Sequence, residues 1–236
     1  MAQLILVRHA QASFFGASYD ELSELGLRQA DALGAHWARH GVAFESAFVG
    51  PRRRHRQTFE RVAAAYRAHG RSFPEPRELP ELDEHHGATI IKAALGHDTA
   101  TPSLAAEVAA GADAAAREQA VRAFFRHYNA VMREWAQGAH AHPGVESWAE
   151  FRARTLQALD ILCGGAGGAR VAFTSGGFVS SAAGWLLGLD SEKVIDLSLV
   201  LSNTALTEVG WSARRRRLVS FNALPHLTDP RQVTTV

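Results

Sequence analysis

The sequence predicts an α/β protein, a three-layer α/β/α sandwich with a mostly parallel central sheet and a helical insertion. Three observations carry this expectation. Short apolar runs alternate with amphipathic helical stretches along most of the chain, as in successive βαβ units. The first run, Gln3 to Arg8, is apolar without alternation, the mark of a strand buried on both faces. Apolar residues make up 47% of the 236 positions, enough for the core of one large domain spanning residues 1–236.

After the first strand, Ser23 can cap a helix running to about His40, with Leu25, Ala30, Leu33 and Trp37 on one side and Gly41 as its stop. Glu45 to Val49 is a second strand, and Gly50-Pro51 punctuates it. Helical spacing returns from about Arg53 to His69 and ends at Gly70. Ser72 to Leu82 contains three prolines and is expected to be extended or irregular. The alanine-rich stretch Thr89 to Gln137 has helical periodicity broken at Gly96, Pro102 and Gly111, so a helical insertion at about 89–138 is expected to cover part of the sheet edge. Ser147 opens a helix ending near Cys163.

The glycines at 164–168 lie between a helix and the next strand. A dinucleotide-binding fingerprint has the opposite order, so these are a helix cap and turn. Arg170 to Thr174 is a strand and Gly176 to Leu187 a helix. Thr204 to Gly210 and Leu218 to Asn222 close the fold as two strands joined by a charged turn.

Lys and Arg (25) nearly balance Asp and Glu (24), for a formal charge of +1. No global field argues for nucleic acid or a membrane surface, and any anion site must be local. The basic runs at Arg52 to Arg56 and Arg214 to Arg217 are short and fit solvated faces. Cys163 is the lone cysteine, which suits a reducing compartment. The N-terminal apolar run lacks a basic segment before it and reads as a strand, not a secretion signal. The stretch Phe178 to Leu189 is too short to span a bilayer. A cytoplasmic protein is expected.

Chemistry is concentrated where the first strand ends on Arg8-His9. Polar residues at the carboxyl end of a central strand stand where open α/β sheets bind ligands. An unprotonated histidine nitrogen there can attack phosphorus, and a neighbouring arginine offers a planar fork of donors to phosphoryl oxygens. The surrounding blocks are LVRHAQASF, a Tyr19-Asp20 pair, LSELGLRQA, GPRRRHRQT from Gly50 to Thr58, and LPELDEHHG from Leu79 to Gly87. Glu146-Ser147 with Arg152, and Asn203 in LSNTALTEV, complete the set.

Together these blocks resemble the histidine phosphatase superfamily, the phosphoglycerate mutase-like proteins, and within it a bacterial branch with RHxQASF and TSGG motifs. The resemblance implies that His9 is the nucleophile, that Arg8 and Arg54 grip the phosphate, and that Glu81 is the general acid. Asp83, Glu84 and His86 compete with Glu81 for that last role. The Glu146, Ser147 and Arg152 block is expected to be structural, and Asn203 to hold loops near the site.

The family usually carries Ser-His-Gly after its fourth core strand, and its histidine donates to a phosphoryl oxygen. Here the sequence is Thr174-Ser175-Gly176-Gly177, so Ser175 stands in the histidine's place. Ser175, the helix-opening Gly176 and Gln11 are therefore expected to bind substrate. His86, His142 and His226 are candidate substitutes from loops, and spacing selects none of them.

The resemblance implies a phosphomonoester hydrolase working through a phosphohistidine, without metal or cofactor, on a small phosphorylated substrate. The alternative is a phospho-ligand binding protein with little turnover, motivated by Ser175. A mutase, which must keep water from its intermediate, is disfavoured by the missing second histidine.

Overall fold

The computed structural model describes residues 2–13, 20–95, 126–165 and 167–235. Phe14, Tyr19 and residues 96–125 of the expected insertion lie outside them.

Among the described residues six strands form one sheet in the order β3-β2-β4-β1-β5-β6. They are β1 (Ala2–Arg8), β2 (Ser46–Val49), β3 (Pro76–Glu78), β4 (Ala169–Thr174), β5 (Leu206–Ser212) and β6 (Arg215–Ala223). β1 runs parallel to β4, β4 to β2 and β2 to β3, while β5 and β6 are antiparallel additions on the other side of β1. The helices are α1 (Glu24–Arg39), α2 (Arg53–Ala68), α3 (Gly87–Leu95), α4 (126–136), α5 (Trp148–Leu162), α6 (Gly176–Leu187) and α7 (Ser191–Val200).

The unbroken apolar run in β1 is explained by its neighbours on both faces. Leu4 and Leu6 enter one core with Phe48, Leu159, Phe178 and Val179, under α5 and α6. Ile5 and Val7 point the other way, into a core with Leu33, Trp37, Phe59 and Val62 from α1 and α2. Period-two alternation thus divides one strand between two helical layers. A third cluster joins Ile90 and Ile91 of α3, Met132 and Trp135 of α4, Phe151 of α5 and Ile195 of α7.

Local chemistry sets the element ends. Ser23 accepts from the Gly26 N–H to cap α1. Ser147 and Glu150 form a reciprocal capping box on α5. Asp190 caps α7, and Gly188 ends α6 at φ +68°, a conformation costly for a residue with a side chain.

The structure adds to the sequence reading at three places. Within the stretch expected to be extended or irregular, Pro76–Glu78 is a short edge strand on β2, where proline's missing N–H is tolerated. No element is assigned from the sequence between Leu187 and Thr204, where α7 lies. The arginines expected in a closing turn begin an edge strand instead: the turn is only Ala213-Arg214, and Arg215 to Arg217 belong to β6. An edge strand with one wet face accepts such residues, and Arg216 pairs with Asp160 at 2.6 Å.

Candidate active site

The carboxyl ends of β1 and β4 and the N-termini of α2 and α6 converge on one side of the sheet. β1 delivers His9, whose backbone N–H donates to the Thr174 carbonyl at 2.8 Å. Its own carbonyl accepts from the Thr204 N–H and, at 3.2 Å, from Asn203 Nδ2. The ring is buried, and its Nδ1 lies 2.7 Å from the Ala10 carbonyl. A carbonyl only accepts, so the ring proton is on Nδ1 and Nε2 carries the lone pair. Arg54 Nε donates to that nitrogen at 3.1 Å. Burial, then the charges of Arg54 and Arg8 and the neighbouring His55, hold the imidazole well below its ordinary pKa. His9 is therefore neutral, with Nε2 as its acceptor nitrogen.

Arg54 is fixed from three sides. Besides His9, it donates to Asp20 Oδ1 at 2.7 Å and approaches Ser175 Oγ at 3.4 Å. Asp20 also accepts from the Arg53 N–H at the start of α2, so one carboxylate spans a helix N-terminus and a guanidinium. The adjoining Gln57 and Thr58 organise the loop: Gln57 accepts from the Leu22 N–H, and Thr58 accepts from the Ala10 N–H while donating to the Arg54 carbonyl. Arg8 donates to the Leu201 carbonyl, and its Nε lies 3.3 Å from where a Cβ on Gly176 would stand. The first turn of α6 thus faces a guanidinium.

Two carboxylates that the sequence left in competition are separated by position. Glu84 turns into the site, where Oε2 accepts from the Gly177 N–H at 3.0 Å. A Cβ on Gly177 would stand 2.2 Å from the other oxygen, so only glycine admits this approach. Burial raises the Glu84 pKa, but His85, the Gly177 N–H, Arg54 and the His85 N–H together hold it below its ordinary value. Glu81 lies instead beside Gln157 on α5, 3.4 Å from its amide, and is not brought into the group around His9. The signal for Glu84 was present in LPELDE, which contains the Leu-x-Glu spacing twice. Asp83 is engaged by Arg52, and His86 is exposed beside Asp83.

Arg154 clamps this segment. It donates to the backbone carbonyls of Glu81 and Asp83 and pairs with both oxygens of Glu146. The expected Glu146 block thus acts through Arg154, while Arg152 lies over the Trp148 ring. Gln11 is turned toward the cap of α1: its backbone meets Gln29, and its side-chain oxygen accepts from Ser23.

Ser175 is fully buried at the N-terminus of α6. Its partner is a histidine, but none of the three suggested from the sequence. His86 and His142 are exposed, and His226 bonds Thr204 at 2.8 Å. His55, on the first turn of α2 and buried, places Nε2 2.6 Å from Ser175 Oγ. Its ring centre is 5.7 Å from that of His9. Sequence reasoning missed it because it sits inside a run of arginines that reads as a solvated face. Among the described residues, no group of His, Cys, Asp and Glu side chains is arranged to hold a metal ion.

A neutral buried histidine, two arginines and a carboxylate thus meet at one sheet end, an arrangement suited to holding a phosphate group. The family model of the histidine phosphatase superfamily (branch 1) matches residues 4–89 and 85–224, and the chain belongs to that superfamily. None of the curated proteins searched matches this chain. Solved structures share its fold at low identity. Entamoeba histolytica phosphoserine phosphatase, a mutant bound to phosphoserine, is 18% identical with a TM-score of 0.61, covering 96% of this chain and 100% of that one. The same enzyme with 3-phosphoglyceric acid gives 18% and 0.62, covering 96% and 99%. Mycobacterial glucosyl-3-phosphoglycerate phosphatase with inorganic phosphate is 22% identical at 0.61, covering 97% and 100%.

Proposed function

We propose that this protein is a phosphomonoester hydrolase whose intermediate is a phosphohistidine on Nε2 of His9. The observation that carries the reading is the His9 imidazole itself: neutral, buried, anchored through Nδ1 and pointing its lone pair at Arg54. Substrate phosphate displaces the Arg54–His9 contact and is gripped by Arg8, Arg54 and the N–H groups that open α6. His9 attacks phosphorus in line with the leaving oxygen, and the P–O bond to the alcohol breaks as the P–N bond forms. Glu84 gives its proton to that oxygen, then removes one from the water that cleaves the phosphohistidine.

Glu84 is ionised in the free site; a phosphate dianion beside it reverses that balance, so the proton enters with substrate. Arg8 and Arg54 neutralise the charge that develops on the phosphoryl oxygens, and the reading calls for no metal.

The test is hydrolysis of an aryl phosphate in EDTA by the wild type and by His9→Ala. Turnover that survives EDTA and drops at least about a thousandfold in the variant is expected for loss of a nucleophile. Absence of turnover in both, across a panel of phosphate esters, with phosphate still bound, would make the protein a phospho-ligand binder instead.

A further inference from the structure

We infer that Thr234 is a positioning residue for His9: its hydroxyl closes a one-way chain of hydrogen bonds that grips the backbone on both sides of Ala10 and so holds the carbonyl that fixes the His9 ring. In its catalytic form the inference rests on the phosphatase reading. The groups come from three distant parts of the sequence. Gln29 of α1 and Asn203, between α7 and β5, are buried, and a buried amide needs partners at both its ends. The 3-10 turn Pro230–Gln232, capped by Asp229 at the Arg231 N–H, brings the half-buried Thr234 between them.

Backbone groups with fixed roles set every direction in the chain. Gln29 Oε1 accepts from the Gln11 N–H at 2.9 Å, so Nε2 is the end that donates, to the Gln232 carbonyl at 2.7 Å and to Thr234 Oγ1 at 2.9 Å. At the other end Asn203 Nδ2 donates to the His9 carbonyl at 3.2 Å, which leaves its Oδ1 to accept. The Thr234 hydroxyl has one proton, and it goes to that oxygen, 2.8 Å away. Donor meets acceptor at each step from the Gln11 N–H to the His9 carbonyl.

The two ends fall on the peptide units that flank the Ala10 Cα. The Gln11 N–H belongs to the same planar unit as the Ala10 carbonyl, and the two point in opposite directions. Holding the N–H on Gln29 aims the carbonyl at His9 Nδ1, 2.7 Å away. The His9 carbonyl belongs to the unit before, whose Ala10 N–H donates to Thr58. Gly26 lets α1 come this close, since a Cβ there would stand 2.1 Å from the Gln11 carbonyl oxygen. The proton on Nδ1, and with it the lone pair on Nε2, thus depends on a peptide that Thr234 holds from a distant segment.

Thr234→Val keeps the shape of the side chain and removes the hydroxyl. The segment stays docked through the Thr234 carbonyl on the Asn203 N–H and the Gln232 carbonyl on Gln29, so the variant is expected to fold, which a thermal melt checks. Aryl phosphate turnover and the nitrogen NMR shifts of the His9 ring, assigned by their loss in His9→Ala, are measured for wild type, Thr234→Val and Thr234→Ser. In the wild type at neutral pH, Nδ1 is expected to be the protonated nitrogen. In Thr234→Val the two ring shifts move toward one another as the other tautomer gains population. Its kcat falls about 10-fold with KM nearly constant, as for a modest misplacement of a reacting group. Thr234→Ser keeps the hydroxyl, and is expected to show wild-type shifts and turnover within about twofold.

A folded Thr234→Val with wild-type shifts overturns the inference, as does one with displaced shifts and full turnover. So does a Thr234→Ser that behaves like Thr234→Val, or a wild-type His9 protonated on Nε2. If Thr234→Val does not fold, Thr234→Ala decides by the same readouts; if neither folds, Thr234 serves stability alone and the inference falls. If the wild type hydrolyses no phosphate ester, the phosphatase reading falls while the ring shifts still decide the positioning role. Displaced shifts in Thr234→Val with wild-type shifts in Thr234→Ser then support it, and unchanged shifts in Thr234→Val overturn it.

Discussion

Glu84 reaches the site only because residue 177 has no side chain. The carboxylate sits against the first turn of α6 and shares that end with the arginines, so its protonation follows the charge of whatever occupies the site. Its proposed role makes a specific demand: the slower a leaving group departs unaided, the more it needs a proton. Glu84→Gln is expected to cut kcat on an alkyl phosphate by about a hundredfold or more, and far less on a nitrophenyl phosphate. Glu81→Gln should leave both rates within about twofold, as expected of a side chain outside the chemistry. Steady-state rates on the two esters check this; equal losses with both in Glu84→Gln would remove it as the acid. At this scale the sequence was legible where a residue's place follows from its element, as for Arg8 and His9 at a strand end. It was ambiguous between Glu81 and Glu84, three residues apart in a 3-10 turn and the loop after it, because the path of that segment is held by Arg154 on the carbonyls of Glu81 and Asp83, more than 70 residues away from both.

At the scale of elements, α1 and α2 touch backbone to side chain at Gly34, where a Cβ would stand 2.6 Å from the Ala65 Cβ and 2.7 Å from the Val62 carbonyl. That contact lets both helices lie close on the Ile5–Val7 face of β1. Gly34→Ala gains helix propensity of about 1 kcal/mol but forces the helices apart, an overpacking cost of about 1–3 kcal/mol. The expected net is a lower melting temperature, by a few degrees for each kcal/mol lost, measured by circular dichroism. A melt unchanged or raised would mean that the pair relaxes without strain. Helices α1, α2, α5 and α6 were readable from their caps and apolar spacing. α7 was not: Ser191 to Val200 is dominated by residues that suit strand or helix equally, and its helical state depends on Val194 and Ile195 being buried. Edge strand β3 was hidden by its proline, and β6 by arginines that look like a turn until a sheet edge is there to receive them.

At the scale of the molecule, three buried histidines set how the fold responds to acid. His9 and His55 are held well below their ordinary pKa, and burial, aided by His36, brings His226 down to about 4. An unfolded chain takes up protons at these rings as pH falls through about 6.5, while the native chain does not. The sign is therefore loss of stability on acidification, beginning near pH 6.5 and, for His226, complete below about pH 4. His226 alone accounts for roughly 3 kcal/mol across that window. Urea midpoints at several pH values should fall through it, and His226→Gln should flatten the slope; a midpoint that rises on acidification would contradict the assignment.

The position of β1 also has a consequence in time. Its partners on either side are residues 169–174 and 206–211, so the strand that ends on His9 is synthesised long before either of them exists. At about 5–20 residues per second, β1 waits about 10–40 s for its second neighbour. During that interval an apolar segment with two unsatisfied edges is exposed, as strand pairings of such long sequence separation are slow to close. The His9 carbonyl meets Asn203 and Thr204 only once β5 has closed on β1, so a nascent or truncated chain carries the residue without the surroundings on which its proposed role depends.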